Sequence, residues 1–198
     1  MKAWYFAHES KKLQYGDGRG IKIGETHTVD CVPQCCKEGL HGSVKLRDAL
    51  SFAKGYIIYR VDINGKIDKQ DDKICGQSRT YLYGGVNVEN ELREFARWCV
   101  LEMMIKCGAP EVIVNYFKTG EESISGSIKE KIRAVHSSSL HTAYGDAVKE
   151  IARYFFNDDL ESFCIAVWTS RFFERSYILD KQNKKLTQLI NKAIRSRT

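Results

Sequence analysis

The chain has 198 residues, a hydrophobic content of 43% and a charged content of 28%, which is enough for one domain with a sizeable core or one domain with a helical appendage and excludes disorder or a coiled-coil fibre. No apolar run reaches the roughly 20 residues that span a bilayer, and the start Met1–Glu9 turns polar too early for a secretory signal, so the expectation is a soluble, cytoplasmic protein. The formal charge of +6 sits at the ends. Residues 1–85 carry 14 bases and 10 acids, residues 86–180 carry 11 and 15, and the last 18 carry six bases and no acid.

Taken in chain order, Trp4–Ala7 is short, aromatic and strand-like. Gly16-Asp17-Gly18-Arg19-Gly20 is a turn or loop, and Ile21–Ile23 with Thr26–Val29 around Gly24-Glu25 forms a bent strand or hairpin. Ser43 is the expected N-cap of a short helix through Leu46, Ala49, Leu50 and Ala53 that Gly55 stops. Tyr56–Ile63 is the strongest strand signal, and Asn64-Gly65 supplies the residues of a type I′ hairpin turn. Asp68–Lys73 reads as a polar loop, and Ser78–Tyr83 as a strand closed by Gly84-Gly85.

From Asn87 the period changes. Leu92, Phe95, Ala96, Cys99, Val100, Met103, Met104 and Cys107 form the stripe of an amphipathic helix. Gly108 and Pro110 end it, and Val112–Phe117 continues as helix. Helical stripes recur at Ile124–Val135, Leu140–Phe155 and Leu160–Trp168, with a turn at Ser137–Ser139, and the last helix runs on to Ile194. The expected fold is α+β: a small antiparallel β-rich module at residues 1–86, packed on a C-terminal α-helical bundle at residues 87–198, the two sharing one core.

Seven cysteines without an export signal argue for free thiols. Cys99, Cys107 and Cys164 fall on apolar helix positions as small core residues. The densest polar constellation is Cys31–Ser43. Cys31, Cys36 and His41 are spaced by five, and Cys75 or His27 can supply a fourth zinc ligand. The competing reading is a loop with buried thiols and a hydrogen-bonded histidine. Cys35 or Cys36 near His41 or His27 also provides the residue types of thiolate catalysis. Gly39-Leu40-His41-Gly42-Ser43, before a helix N-terminus, has the composition of a nucleotide contact, with Gly39, His41 and Ser43 as ligand residues and His8 and Gln77 as further walls. The alternative is that Ser43 caps and Gly39 turns. No Walker loop, G-x-G-x-x-G, H-E-x-x-H or G-x-S-x-G occurs.

The basic tail comprises Lys181, Lys184, Lys185, Lys192, Arg195 and Arg197. It complements a helix C-terminus and offers a surface to an acidic partner or a phosphate backbone. Phe172 and Phe173 beside Trp168 make an aromatic surplus, either core or an apolar patch for a partner or a second copy. The partner-facing candidates are therefore Lys184, Lys185, Arg195, Phe172 and Phe173.

Trp4-Tyr5-Phe6, Tyr15–Arg19, Ile23-Gly24-Glu25-Thr26, Cys36–His41, Asp48–Ala53, Arg60–Ile67 and Asp71-Asp72-Lys73, in that order, resemble a domain of uncharacterised activity found in phage, prophage and gut-metagenome proteins. The resemblance covers residues 3–120 and returns at Asp180–Leu186, which looks like the end of that family's helical extension; the alanine-rich Ala-Trp repeats often found between these parts do not appear here. It implies a mobile-element accessory protein. The expected function is binding a host protein or nucleoprotein, as an inhibitor of antiviral defence, with nucleic acid reached through the basic tail, no membrane association and self-association open. Gly39–Ser43, the Asp48-Ala49-Leu50 helix and the following strand also resemble the middle of ADP-ribosyltransferase-like folds. That likeness implies the alternative, an active or degenerate nucleotide- or NAD-binding protein. Residues 63–88 lack the glutamate such enzymes place on a later strand, and Gln77 stands near its position. No cofactor is expected under the leading reading; zinc and NAD belong to the alternatives.

Overall fold

The computed structural model describes residues 1–106, 111–119 and 176–197. It is α+β. In order, the elements are β1 (Lys2–Ala7), β2 (Thr26–Thr28), β3 (Leu40–Gly42), α1 (Leu46–Leu50), β4 (Ile57–Lys69), β5 (Ile74–Asn87), α2 (Glu89–Lys106), α3 (Glu111–Thr119) and α4 (Ser176–Arg197). Two compact units result, one of residues 1–91 with 183–198 and one of residues 92–182.

In the first unit, the long antiparallel pair β4–β5 is the spine. β1 pairs with the far edge of β4, from Lys2 opposite Asp62 to Ala7 opposite Ile57. β3 and β2 pair in turn with the other edge of β5. The sheet curls until Trp4 of β1 and Ser43, just past β3, exchange backbone hydrogen bonds of 2.8 and 3.0 Å. Alternation selects the interior: Ala3 and Ala7 from β1 and Tyr59, Val61 and Ile63 from β4 join Leu40, Ile74 and Tyr81 in one buried cluster. Trp4, Phe6 and Ile58, at the intervening positions, are buried as well, so the spine is apolar on both faces. The small Ala3 and the glycine at 42 permit the close approach of β3: a Cβ on Gly42 would lie 3.0 Å from Ile63 Cδ1 and 3.1 Å from Ala3 Cβ.

Two turn assignments change. Asn64-Gly65 does not make the hairpin. β4 runs on to Lys69, and the reversal falls at Gln70–Lys73, closed by a 2.9 Å bond from Gln70 N–H to Lys73 O. Gly65 does take the positive φ, +83°, but at a register shift between Asn64 and Ile67; a bulge and a I′ turn demand the same residue. Gly84 and Gly85, at φ +108° and +74°, likewise bend β5 and do not end it. Ser43 is not the cap of α1 either. Lys45 holds that position and makes no capping bond with its side chain, because Ser43 is engaged with Trp4.

α4 completes the first unit. Leu186, Leu189, Ile190, Ala193 and Ile194 are buried, at the i, i+3, i+4 spacing of a single face. Asn183 Oδ1 accepts from Arg47 N–H at 3.2 Å, and the Arg197 guanidinium pairs with Glu91 at 2.6 Å and donates to the Asn87 carbonyl. In the second unit, α2 buries Leu92, Phe95, Ala96, Cys99 and Val100, Phe95 stacks on Trp98 at 6.1 Å between ring centroids, and Lys181 pairs with Glu102. α3 falls where Val112–Phe117 predicts it. The stripes at 124–168, the serine turn, Cys107, Cys164, Phe172 and Phe173 lie outside the described residues.

Candidate functional site

Cys75, Gln77, Arg79 and Tyr81 occupy alternate positions of β5, and each holds a residue of the 27–41 segment. The Cys75 sulfur lies 3.5 Å from Cys35 Sγ, Gln77 Nε2 donates to Cys31 O at 3.1 Å, Arg79 donates to His41 O at 2.6 Å, and the Tyr81 hydroxyl meets His27 Nδ1 at 3.1 Å. This row anchors an otherwise irregular loop and gathers two chemically distinct groups.

The first is a thiol–imidazole cluster. Antiparallel register sets His41 of β3 opposite Cys75 and Asp68 of β4 opposite Cys75 from the other side. Cys35 enters from the loop, its backbone N–H bonded to Asp68 Oδ2 at 2.7 Å. One donor atom each from Cys35, His41 and Cys75 falls within 4.8 Å of the others. The two sulfurs are buried. Burial, with the neighbouring Cys75 second, pushes the Cys35 thiol up to about 12, and burial raises Cys75 as well. Both are therefore protonated thiols at neutral pH, which argues against a thiolate nucleophile. Burial also lowers the His41 pKa, aided by the charges of Arg79 and Lys73 and opposed by a backbone hydrogen bond with Gly39 and by Asp68. His41 Nε2 accepts from Cys36 N–H at 3.1 Å, which fixes that nitrogen as the unprotonated one and leaves Nδ1 for Gly39.

The second group is cationic and aromatic. Arg79 is 2% exposed, yet among the described residues no carboxylate lies within ion-pair distance of it. Its guanidinium lies 3.7 Å from the Tyr5 ring centroid and gives two bonds, 3.1 and 2.8 Å, to the Tyr81 hydroxyl. Ring faces and neutral acceptors thus replace the counter-ion that a buried cation ordinarily needs. Burial raises the Tyr81 pKa against the opposing charge of Arg79. With both of its acceptor directions used, Tyr81 donates to His27 Nδ1. His27, 3% exposed, then carries its proton on Nε2, which among the described residues has no hydrogen-bond partner and lies 3.7 Å from Glu25 Oε1. Burial holds the His27 pKa below its usual value.

The residues singled out as pocket walls are dispersed among structural tasks. Ser43 is 1% exposed with its backbone tied to Trp4. Gly39 takes φ +106° against Pro33 and Gly76. His8 is exposed and bonds Ser10 Oγ at 3.0 Å, and Gln77 spends its amide on Cys31 O and Lys66 N–H. Of the sequence-selected metal ligands, His41 is in the cluster; Cys31 is half-buried, its carbonyl held by Gln77 and its sulfur outside the 4.8 Å group. Cys36 is exposed, 2.9 Å from Lys73 Nζ. Cys35 takes the ligand position that the five-residue spacing gave to Cys36; Cys36 adopts φ +71°, which turns adjacent thiols apart. Arg79 and Tyr81 were not selected by the sequence, since an Arg-x-Tyr pair in a strand carries no signature. Lys184 and Arg195 are exposed and Lys185 is half-buried.

No protein-family model, curated protein or solved structure matches the chain.

Proposed function

We propose that this protein is a phage- or mobile-element-type accessory protein that acts by binding, in the host cytoplasm, an acidic surface of a host protein or nucleoprotein, and that it serves there to inhibit antiviral defence. The observation that carries the binding reading is the division of α4. Its apolar face is consumed in the first unit, while Lys184, Gln188, Lys192, Arg195 and Ser196 stand exposed on the helix, with no carboxylate between residues 183 and 197. Gln188, Asn191, Lys192, Arg195 and Ser196 line a groove along it. A single-sign ridge on a packed helix attracts acidic partners over a Debye length and fixes their orientation. The filled surroundings of Gly42 and the burial of Ser43 favour this reading over a nucleotide pocket at 39–43.

The test is affinity purification from host extract with the wild-type chain and with the K184E/K192E/R195E triple variant. The expected result is a stoichiometric partner that the variant loses and that high salt releases from the wild type. Equal recovery by the variant would refute the assignment of the ridge. A thermal shift with NAD or ATP that His41→Ala and Ser43→Ala abolish would replace the binding reading with the nucleotide one.

A further inference from the structure

We propose that Cys35, Cys75, His41 and Cys31 form a zinc site of the Cys3His type that clips the 31–41 loop onto β5. The proposal is independent of the basic ridge on α4. The two central sulfurs stand 3.5 Å apart, and sulfurs bound to one tetrahedral zinc at about 2.3 Å each lie about 3.8 Å apart, so the pair needs no backbone movement to share an ion. The third donor is set by strand register, since His41 faces Cys75 across β3 and β5. The ring is arranged as zinc ligands usually are, with one nitrogen committed to a backbone group and the other offering a lone pair. That lone pair now accepts only the N–H of exposed Cys36, a group that water can satisfy once the metal takes its place.

Cys31 supplies the fourth ligand. Gln77 holds the Cys31 carbonyl two positions along β5 from Cys75, and the Cys31 sulfur, outside the 4.8 Å group of the other three donors, closes onto the ion by side-chain and loop adjustment when metal binds. Cys36 is excluded because its sulfur faces solvent and Lys73 Nζ at 2.9 Å. Asp68 is a supporting residue: its carboxylate accepts the Cys35 N–H at 2.7 Å and so fixes the loop's approach. Two neutral thiols packed against each other in a buried place contribute little as hydrogen-bonding partners, whereas Zn2+ displaces their protons to solvent and turns both sulfurs into strong ligands. Soft thiolate donors with one imidazole in a closed tetrahedron select zinc over magnesium or calcium. With all four positions filled by protein, the site is structural, and the loop it secures contains Pro33 and the positive-φ residues Cys36 and Gly39, whose backbone has little regular pairing of its own.

The test uses the full-length chain, reduced and stripped with chelator, titrated with Co2+ as a spectroscopic substitute for zinc. The expected result is one Co2+ per chain, with a sulfur-to-cobalt charge-transfer band and the visible bands of a tetrahedral site, both erased by one equivalent of Zn2+. Cys35→Ser and Cys75→Ser should each reduce affinity at least about 10-fold; Cys31→Ser should weaken the charge-transfer band by about a third, for three thiolates reduced to two; Cys36→Ser should change neither. Circular dichroism checks that each variant folds. If Cys35→Ser does not fold, the wild-type titration decides, and its failure to give a one-to-one thiolate spectrum would overturn the site. Unaltered spectra in folded Cys75→Ser would also overturn it. So would a Cys35–Cys75 disulfide in place of metal in protein isolated without reductant. A band weakened by Cys36→Ser and untouched by Cys31→Ser would overturn the ligand set.

Discussion

The two faces of α4 make opposite demands on mutation, and Ile190 gives the sharpest case. Ile190 is fully buried, next to Leu186, also fully buried, one turn earlier. Replacing a buried isoleucine by alanine removes transfer free energy and leaves a cavity, at a cost of about 2–5 kcal/mol. Helix propensity works the other way, because alanine is the better helix former by up to about 0.5 kcal/mol. The sign of the change therefore discriminates. If the face is core, Ile190→Ala destabilises by at least about 1.5 kcal/mol net, and for a chain of this size the thermal midpoint falls by roughly 3–20 °C. Were the helix solvated, the same change would be neutral or slightly stabilising. Lys192→Glu, two residues on and on the opposite, exposed face, should stay within about 0.5 kcal/mol. Urea titrations of both variants beside the wild type measure the difference. An Ile190→Ala midpoint no lower than that of Lys192→Glu would refute the assignment of residues 183–197 to the first unit's core.

The remaining predictions address backbone, charge and thiols. Gly84→Ala places a Cβ 2.4 Å from the Ile58 carbonyl oxygen at φ +108°; it should cost at least about 2 kcal/mol, against about 1 kcal/mol at Gly18, where φ is +70° and the space is open. For metal-free protein, His27 and His41 both have folded pKa values held below 6.5 by burial. The unfolded chain therefore binds more protons as pH falls through 6.5, and their stability contribution, complete above that value, is lost down to the folded pKa values. A stability profile that is flat between pH 7 and 5, or one that His27→Gln leaves just as steep, would contradict this. Under native, metal-free and reducing conditions, Cys36 should react with a thiol reagent first among the described cysteines, and Cys35, held near 12 by burial, only on unfolding; equal labelling rates by peptide mapping would count against the buried pair.

Much of the fold is legible in the sequence wherever one period dominates. Tyr56–Ile63 and the α2 stripe are seen because burial imposes alternation on one and a 3.6 repeat on the other. Glycine misleads where its φ is read correctly and its setting is not. Gly65 and Gly84 mark bulges within long strands, and only the partner strand shows that pairing resumes beyond them. Ser43 follows the same pattern: its side chain suits a cap, but the distant Trp4 claims its backbone. In the candidate site, the sequence places His41 and the cysteines in one segment and names Cys75 as a possible fourth ligand. Which thiols meet depends on β3–β5 register and on the turn at Cys36, neither of which spacing along the chain encodes. Arg79 is hidden for a related reason, because burial of an arginine without an acid becomes visible only when Tyr5 and Tyr81 are brought against it.

The first unit is assembled from two stretches of chain separated by 91 residues. During synthesis at about 5–20 residues per second, the strands are made roughly 5–20 s before the helix that completes their unit. Through that interval the unit lacks the apolar face formed by Leu186, Leu189, Ile190, Ala193 and Ile194, a state in which chaperone capture or pairing with another chain competes with folding. The same division makes the closing helix separable in principle: a peptide of residues 183–198 supplied in trans is a natural complement for the 1–91 fragment, and exchanging the intervening stretch need not disturb the register of a single strand.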